Sequence, residues 1–262
     1  MIRTVTVYTG ESDYAQAAQE HAIEMARQFS ARLKVIEIWE AENGGMVDDA
    51  PEPAAGSKSG ILEAAERAGV RVVAESRGEG MPRSLLEEAR ETDLLVLGVP
   101  TNAEADETAE AARVFKKERP LLRKADCALL VVNQPPAPIR KILARYEEGS
   151  TGKAMLRMVA AIAERYQAHL GLLTIENDSV RATELAAAAA EYVKGFDIPE
   201  VQMLAQAGPT DSKVLILHEA ESFGADLIVM GEEGHGWLKS LLSEHLAEQT
   251  AFSTSIPLLI VR

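Results

Sequence analysis

Residues 226–262 read DLIVMGEEGHGWLKSLLSEHLAEQTAFSTSIPLLIVR. An apolar run closes on Gly231, glycines come next at Gly234 and Gly236, an amphipathic helix starts near Trp237, and a second apolar run, LLIV, comes before the last residue. Continuous apolar runs of this length suit strands of a parallel sheet that is covered on both faces. A glycine turn from such a strand into a helix lies at the carboxyl edge of the sheet, where α/β folds receive phosphate. Without a Cβ, the backbone N–H groups can approach an anion closely. The glycines alone also suit a turn that merely needs positive φ.

Working outward, the stretch has an earlier copy. DLIVMG from Asp226 answers DLLVLG from Asp93, an offset of 133, and LLIV from Leu258 answers LLVV from Leu129, an offset of 129. Upstream, AERYQAHLGLLTI from Ala163 matches ARQFSARLKVIEI from Ala26 at an offset of 137, with Phe29/Tyr166, Ala31/Ala168, Leu33/Leu170 and Ile38/Ile175 alike in type. The order is kept while the spacing shrinks, so the chain is a tandem duplication with insertions in the first copy. NQPPAP, Asn133 to Pro138, separates the copies, because closely spaced prolines suit neither a helix nor a central strand. The expected domains are residues 1–134 and 138–262.

Each copy reads as five strands alternating with four helices. In the first, TVTVY is a β-branched run, Ala15, Ala18, Ala22, Ala26 and Phe29 recur at helical spacing, and ILEAAERAG stops on a glycine. The second offers KILARY, LGLLTI, VQMLAQ, DLIVMG and PLLIVR as strands, with the alanine run 186–190 inside a helix between Ser179 and Gly195. Alternating strands and helices with right-handed crossovers give α/β domains, each an open, mostly parallel five-stranded sheet with helices on both faces. Residues 41–60, small, acidic and rich in Gly and Pro, are expected mostly as a mobile loop.

Composition narrows the function. A formal net charge of −14 disfavours nucleic acid and anionic lipid surfaces as partners, although it also serves plain solubility. The single Cys127 excludes an internal disulfide and reads as a small buried hydrophobe at a strand entry. With no charged-then-apolar leader and no run of membrane-spanning length, the expectation is a cytoplasmic protein without direct membrane insertion.

The segment 226–262, the strand order and the duplication together resemble the universal stress protein family, over nearly the whole chain. The resemblance implies two tandem Rossmann-like domains of the adenine nucleotide alpha hydrolase-like type. Members with ATP sites carry Gly, two residues, Gly, nine residues, then Gly with Ser or Thr. Gly231 and Gly234 fill the first two places, but the closing pair here is Glu244 and His245. The substitution removes a close backbone approach and a hydroxyl donor and adds a carboxylate. At an effective dielectric near 20, two unit charges at 4 Å repel by roughly 4 kcal/mol, about three orders of magnitude in affinity. Glu232 and Glu233 add to that charge, and a neutral His245 offsets little of it. The family's nucleoside-contacting acidic residue corresponds to Glu147 in the second copy and to Thr9 or Gly10 in the first, which also carries Thr101 in place of the second glycine. The expectation is therefore a vestigial nucleotide site of Gly231, Gly234, His245 and Glu147, no cofactor beyond weak ATP or AMP in the carboxyl-terminal domain, and no site in the first copy.

Other candidates are weaker. EEGSTGK, Glu147 to Lys153, comes after a strand and opens a helix as a Walker A loop does, but Glu147 stands where its first Gly belongs and Ala154 where its Ser or Thr belongs; a Ser cap is the plainer reading. His21, His169 and His218 are scattered, and His235 and His245 lie ten apart without close partners, so no metal is expected and the histidines read as surface or capping residues. Ser243 and His245, two apart on one helix, do not face each other, and no nucleophile elbow occurs. Nothing demands an enzyme. Three functions fit these features: a non-enzymatic stress-response or regulatory protein acting through protein contacts; a nucleotide sensor or slow ATPase using the carboxyl-terminal half; or a soluble regulatory partner of a membrane transporter, since related domains are fused to such proteins. The resemblance further implies that the fifth strands meet as an internal pseudo-dimer, and it leaves room for a homodimer.

Overall fold

The computed structural model describes residues 2–38, 55–77, 86–100, 121–122, 124–208, 213–231, 246–251 and 253–262. They form two compact units, residues 2–136 and 137–262. The first contains β1 (Thr4–Tyr8), α1 (Asp13–Phe29), β2 (Arg32–Ile38), α2 (Ala55–Arg67), β3 (Val72–Arg77), β4 (Leu94–Gly98) and β5 (Ala128–Val132). The second contains β6 (Lys141–Arg145), α3 (Ser150–Tyr166), β7 (His169–Glu176), α4 (Ser179–Val193), β8 (Val201–Ala207), α5 (Lys213–Phe223), β9 (Leu227–Gly231), α6 (Leu246–Ala251) and β10 (Leu258–Val261).

Within the first unit the strands lie in the order β3-β2-β1-β4-β5, and within the second β8-β7-β6-β9-β10, with neighbouring strands of each unit running parallel. The two units therefore repeat one strand order. Thr4 stands opposite Arg32, and Lys141 opposite His169; Val5 faces Leu94, and Ile142 faces Leu227; Leu95 faces Leu129, and Ile228 faces Leu258. These pairs reproduce the sequence offsets of 137, 133 and 129 residue for residue, so the duplication is carried in the hydrogen-bond register. β10 is buried at every position and β4 and β9 at all but their closing glycines, which requires cover on both faces.

The register has a visible anchor. Asp226 Oδ2 accepts from the backbone N–H of Arg140 and of Lys141, both at 2.9 Å, while its own N–H donates to the Lys141 carbonyl at 2.8 Å. Asp93 does the same to Arg3 and Thr4, at 2.9 Å each, and returns a bond to the Thr4 carbonyl at 3.1 Å. One carboxylate thus clasps the start of the first strand to the start of the fourth.

Helix ends repeat as well. Ser30 and Gln167 close α1 and α3 in the left-handed region, φ 52 and φ 50, and donate to carbonyls of the last turn. The interiors differ. Lys34 on β2 is buried and pairs with Glu88 and, at 3.1 Å, with Glu75 on β3. Burial pulls its pKa down, but the bonds and charges of Glu88 and Glu75 outweigh that and hold it above the usual lysine value. In the second unit Gly171 takes the place of Lys34, opposite Leu143 rather than Thr6, and a Cβ there would meet Leu143 and the Phe223 ring at 3.2 Å. A buried charge cluster and an aromatic plug occupy the same layer in the two copies.

α2 begins at Ala55, six residues ahead of the run ILEAAERAG, and its Ile61 and Ala65 are buried; residues 41–54, the greater part of the expected loop, lie outside the described residues. One expectation is corrected. His21 is not a surface histidine. It sits 4% exposed on the buried face of α1 with Ala17, Ala18, Ala22 and Met25, where its Nε2 donates to the Gln134 carbonyl at 3.1 Å. Burial lowers its pKa to about 4, against the bond to Gln134 and the charge of Glu24.

Asp226→Ala should destabilise the second unit by about 2 kcal/mol, the usual loss for backbone donors to a charged acceptor, and Asp226→Asn by less than half as much, since one carbonyl oxygen can keep both bonds. Urea unfolding followed by circular dichroism measures both. His21 is neutral when folded, so the unfolded chain takes up its proton first. Its contribution is complete above about pH 6.5 and falls away as the pH drops toward 4, which stability measurements across that window and NMR titration of the ring will register.

Candidate functional site

In both units the first strand is the one at which the chain reverses direction across the sheet, and the crevice beyond its carboxyl end is the place for a ligand in this topology. In the second unit that place is built by the end of β6, the loop 146–149, the first turn of α3 and the end of β9. Gly149 is the N-cap of α3, at φ 155 and ψ −177, backbone that essentially only glycine adopts. Ser150 is already helical. The expected Ser cap is thus corrected: the helix starts one residue too early for it, and α3 has no side-chain cap hydrogen bond. α1 is capped by Ser12, whose Oγ accepts from the N–H of Ala15.

The loop is wound tightly. A Cβ on Gly152 would lie 2.0 Å from the Glu147 carbonyl oxygen and 3.1 Å from the Tyr146 ring, so glycine alone lets the turn fold back on the helix. Tyr146 is buried, and its N–H donates to the Leu173 carbonyl at 2.8 Å. Burial, with the charge of Glu148, raises the Tyr146 pKa, and Arg181 opposes. Arg181 reaches from α4 to pair with Glu148 and with Glu184 at 3.8 Å.

Glu147, the expected nucleoside contact, is half-buried, and its carboxylate pairs with Arg145, the last residue of β6, whose side chain is 2% exposed. Arg145 was not anticipated from the sequence. The available signal was a cation closing the otherwise apolar run ILAR. Gly231 closes β9, and a Cβ added to it would meet Thr151 Cγ2 at 3.4 Å, an ordinary contact. The structure therefore brings Glu147 and Gly231 to the two sides of the first turn of α3. Gly234 and His245 lie outside the described residues, as do Glu232, Glu233, His235, Ser243 and Glu244.

The first unit arranges the same corner differently. Thr9 donates to the Ile36 carbonyl as Tyr146 does to that of Leu173, which puts Gly10 in register with Glu147. Gly98 corresponds to Gly231, but a Cβ there would stand 2.1 Å from the Tyr14 carbonyl oxygen. The backbone of α1 rests directly on the end of β4. Thr101 lies outside the described residues. Among the described residues no three His, Cys, Asp or Glu side chains gather as metal ligands, and no helix is long and apolar enough to cross a membrane. His169 pairs with Glu200 at 3.1 Å, His218 is exposed, and Cys127 is buried.

Against known proteins, the sequence model of the Universal stress protein family matches twice, over residues 1–133 and 138–262. No curated protein matches. Among solved structures, a universal stress protein from Archaeoglobus fulgidus DSM 4304 is similar at 12% identity and a TM-score of 0.71, over 98% of this chain and 97% of that one. A putative universal stress protein from Pseudomonas aeruginosa UCBPP-PA14 is similar at 16% identity and 0.63, over 99% and 92%. The cytoplasmic domain of a prokaryotic cation chloride cotransporter is similar at 14% identity and 0.58, over 100% and 95%.

The two strand-closing glycines should respond unequally to a methyl group. Gly98→Ala must push α1 off the sheet and is expected to destabilise by about 3 kcal/mol, whereas Gly231→Ala should stay within about 1 kcal/mol of the parent. Parallel urea titrations of the two variants compare them.

Proposed function

The chain belongs to the universal stress protein family, and from that premise we propose a non-enzymatic, cytoplasmic stress-response or regulatory protein that acts through protein contacts and binds adenine nucleotide weakly or not at all. Its domains span residues 1–134 and 138–262. Gly231, Gly234, His245 and Glu147 form the remnant of a nucleotide site in the second.

The observation that carries this reading is the ion pair between Glu147 and the buried Arg145. A carboxylate engaged by a guanidinium on its own strand end is a poorer acceptor for a sugar hydroxyl. The sequence adds Glu244 and His245 where the family's ATP-binding members place Gly and Ser or Thr. In the first unit the backbone of α1 against Gly98 supports the same conclusion. A nucleotide sensor or slow ATPase would need the second unit alone. A second reading, a regulatory partner of a membrane transporter, draws on the cotransporter cytoplasmic domain; that likeness is one of fold, which ranks it second.

Isothermal titration of the full chain with ATP and with AMP should give no saturable heat at micromolar nucleotide. Micromolar affinity at one site per chain overturns the proposal in favour of the sensor. Glu244→Gly combined with His245→Ser should gain about three orders of magnitude in ATP affinity if charge at the closing pair is the defect.

A further inference from the structure

β8 ends the strand order of the second unit, and among the described residues it pairs only with β7. The N–H of Leu170 donates to the Glu200 carbonyl and the N–H of Gly208 to the Glu176 carbonyl, so the even-numbered residues of this strand turn their backbone groups toward β7. The odd-numbered residues, Val201, Met203, Ala205 and Ala207, consequently direct N–H and C=O groups outward, along the free edge.

Such an edge is normally protected by charge, proline or brevity. β3, which ends the order of the first unit, carries Glu75 and Arg77. β8, VQMLAQA, has seven residues, no charge and no proline, in a chain of net charge −14, and Met203 is 53% exposed. Along such a strand two identical chains can meet without opposing charges of the strand itself, and the neighbouring carboxylate of Glu219 is engaged, accepting from Gln206 at 3.0 Å.

We infer that β8 is a homodimer interface, pairing antiparallel with β8 of a second copy about a two-fold axis at Leu204. In this register Met203 faces Ala205 of the second copy and Val201 faces Ala207, so all four outward residues exchange backbone hydrogen bonds. Gln202 falls opposite Gln206. Glu200, the acidic residue just before the strand, falls opposite Gly208 rather than opposite its own copy. A shift of centre to Met203 or Ala205 leaves outward groups unpaired, so the centre at Leu204 is the one that uses the whole strand. The pairing extends the protein-contact function by naming its simplest partner, and it does not depend on the state of the nucleotide site.

Sedimentation velocity on the full chain tests the interface. The parent should form a dimer at micromolar concentration. Ala205→Pro removes only an outward N–H, leaves the β7 ladder intact, and should raise the dimer dissociation constant about tenfold or more with an unchanged circular dichroism spectrum. Should that variant unfold, Met203→Glu, at an exposed position, is to give the same loss. Leu204→Cys should cross-link to a covalent dimer on oxidation faster than Met203→Cys, since only Leu204 meets its own copy. A parent that remains monomeric, a dimer untouched by these substitutions, or equal cross-linking at the two positions overturns the inference.

Discussion

A single carboxylate in each unit sets the strand register on which the rest of that unit depends. Asp93 and Asp226 accept two backbone N–H groups at the opening of the first strand and return their own N–H to a carbonyl of that strand. Strands one and four are far apart in sequence and adjacent in the sheet, and parallel neighbours have no hairpin to align them. The clasp supplies the alignment. Once the amino ends are locked, the carboxyl ends are level, and Gly98 or Gly231 is brought beside the first turn of the helix that comes after strand one.

On that common frame the copies have diverged by side-chain substitution. The first caps its helix with Ser12, sets the Tyr14 carbonyl against Gly98, and stabilises its interior with the Lys34, Glu75 and Glu88 cluster. The second leaves its helix start to Gly149, keeps room for a Thr151 side chain beside Gly231, and fills the Lys34 layer with Phe223 over Gly171. Buried ion clusters contribute little net stability over well-packed apolar groups of similar volume, so the two solutions can be nearly equivalent for folding. They are not equivalent at the crevice, where helix backbone stands against the closing glycine of one unit and a Thr side chain near that of the other.

Much of this was legible in the sequence because it depends on periodicity. Apolar runs and their offsets located both sheets, and the registers obey those offsets. What escaped were features set by a shift of one residue or by a distant partner. The Ser150 cap failed because α3 starts at Ser150 itself. His21 read as a surface or capping residue, yet its helical position fell on the apolar face and a carbonyl 113 residues away satisfied its ring. Arg145 was hidden at the end of a strand, where its pairing with Glu147 depends on the bend of the loop. Gly231 and Glu147 do share a corner, whereas Gly234 and His245 lie outside the described residues.

The left-handed turns at Ser30 and Gln167 bear on ancestry. Each holds a side chain in backbone that disfavours it by about 1 kcal/mol. Glycine would relieve that strain, yet neither copy uses it, and the two residues differ in length and functional group, a hydroxyl against a carboxamide. What has descended through the doubling of the gene is the bend itself, with unlike amino acids tolerated at an awkward corner because the helix behind it and the strand ahead of it leave the path no other way round.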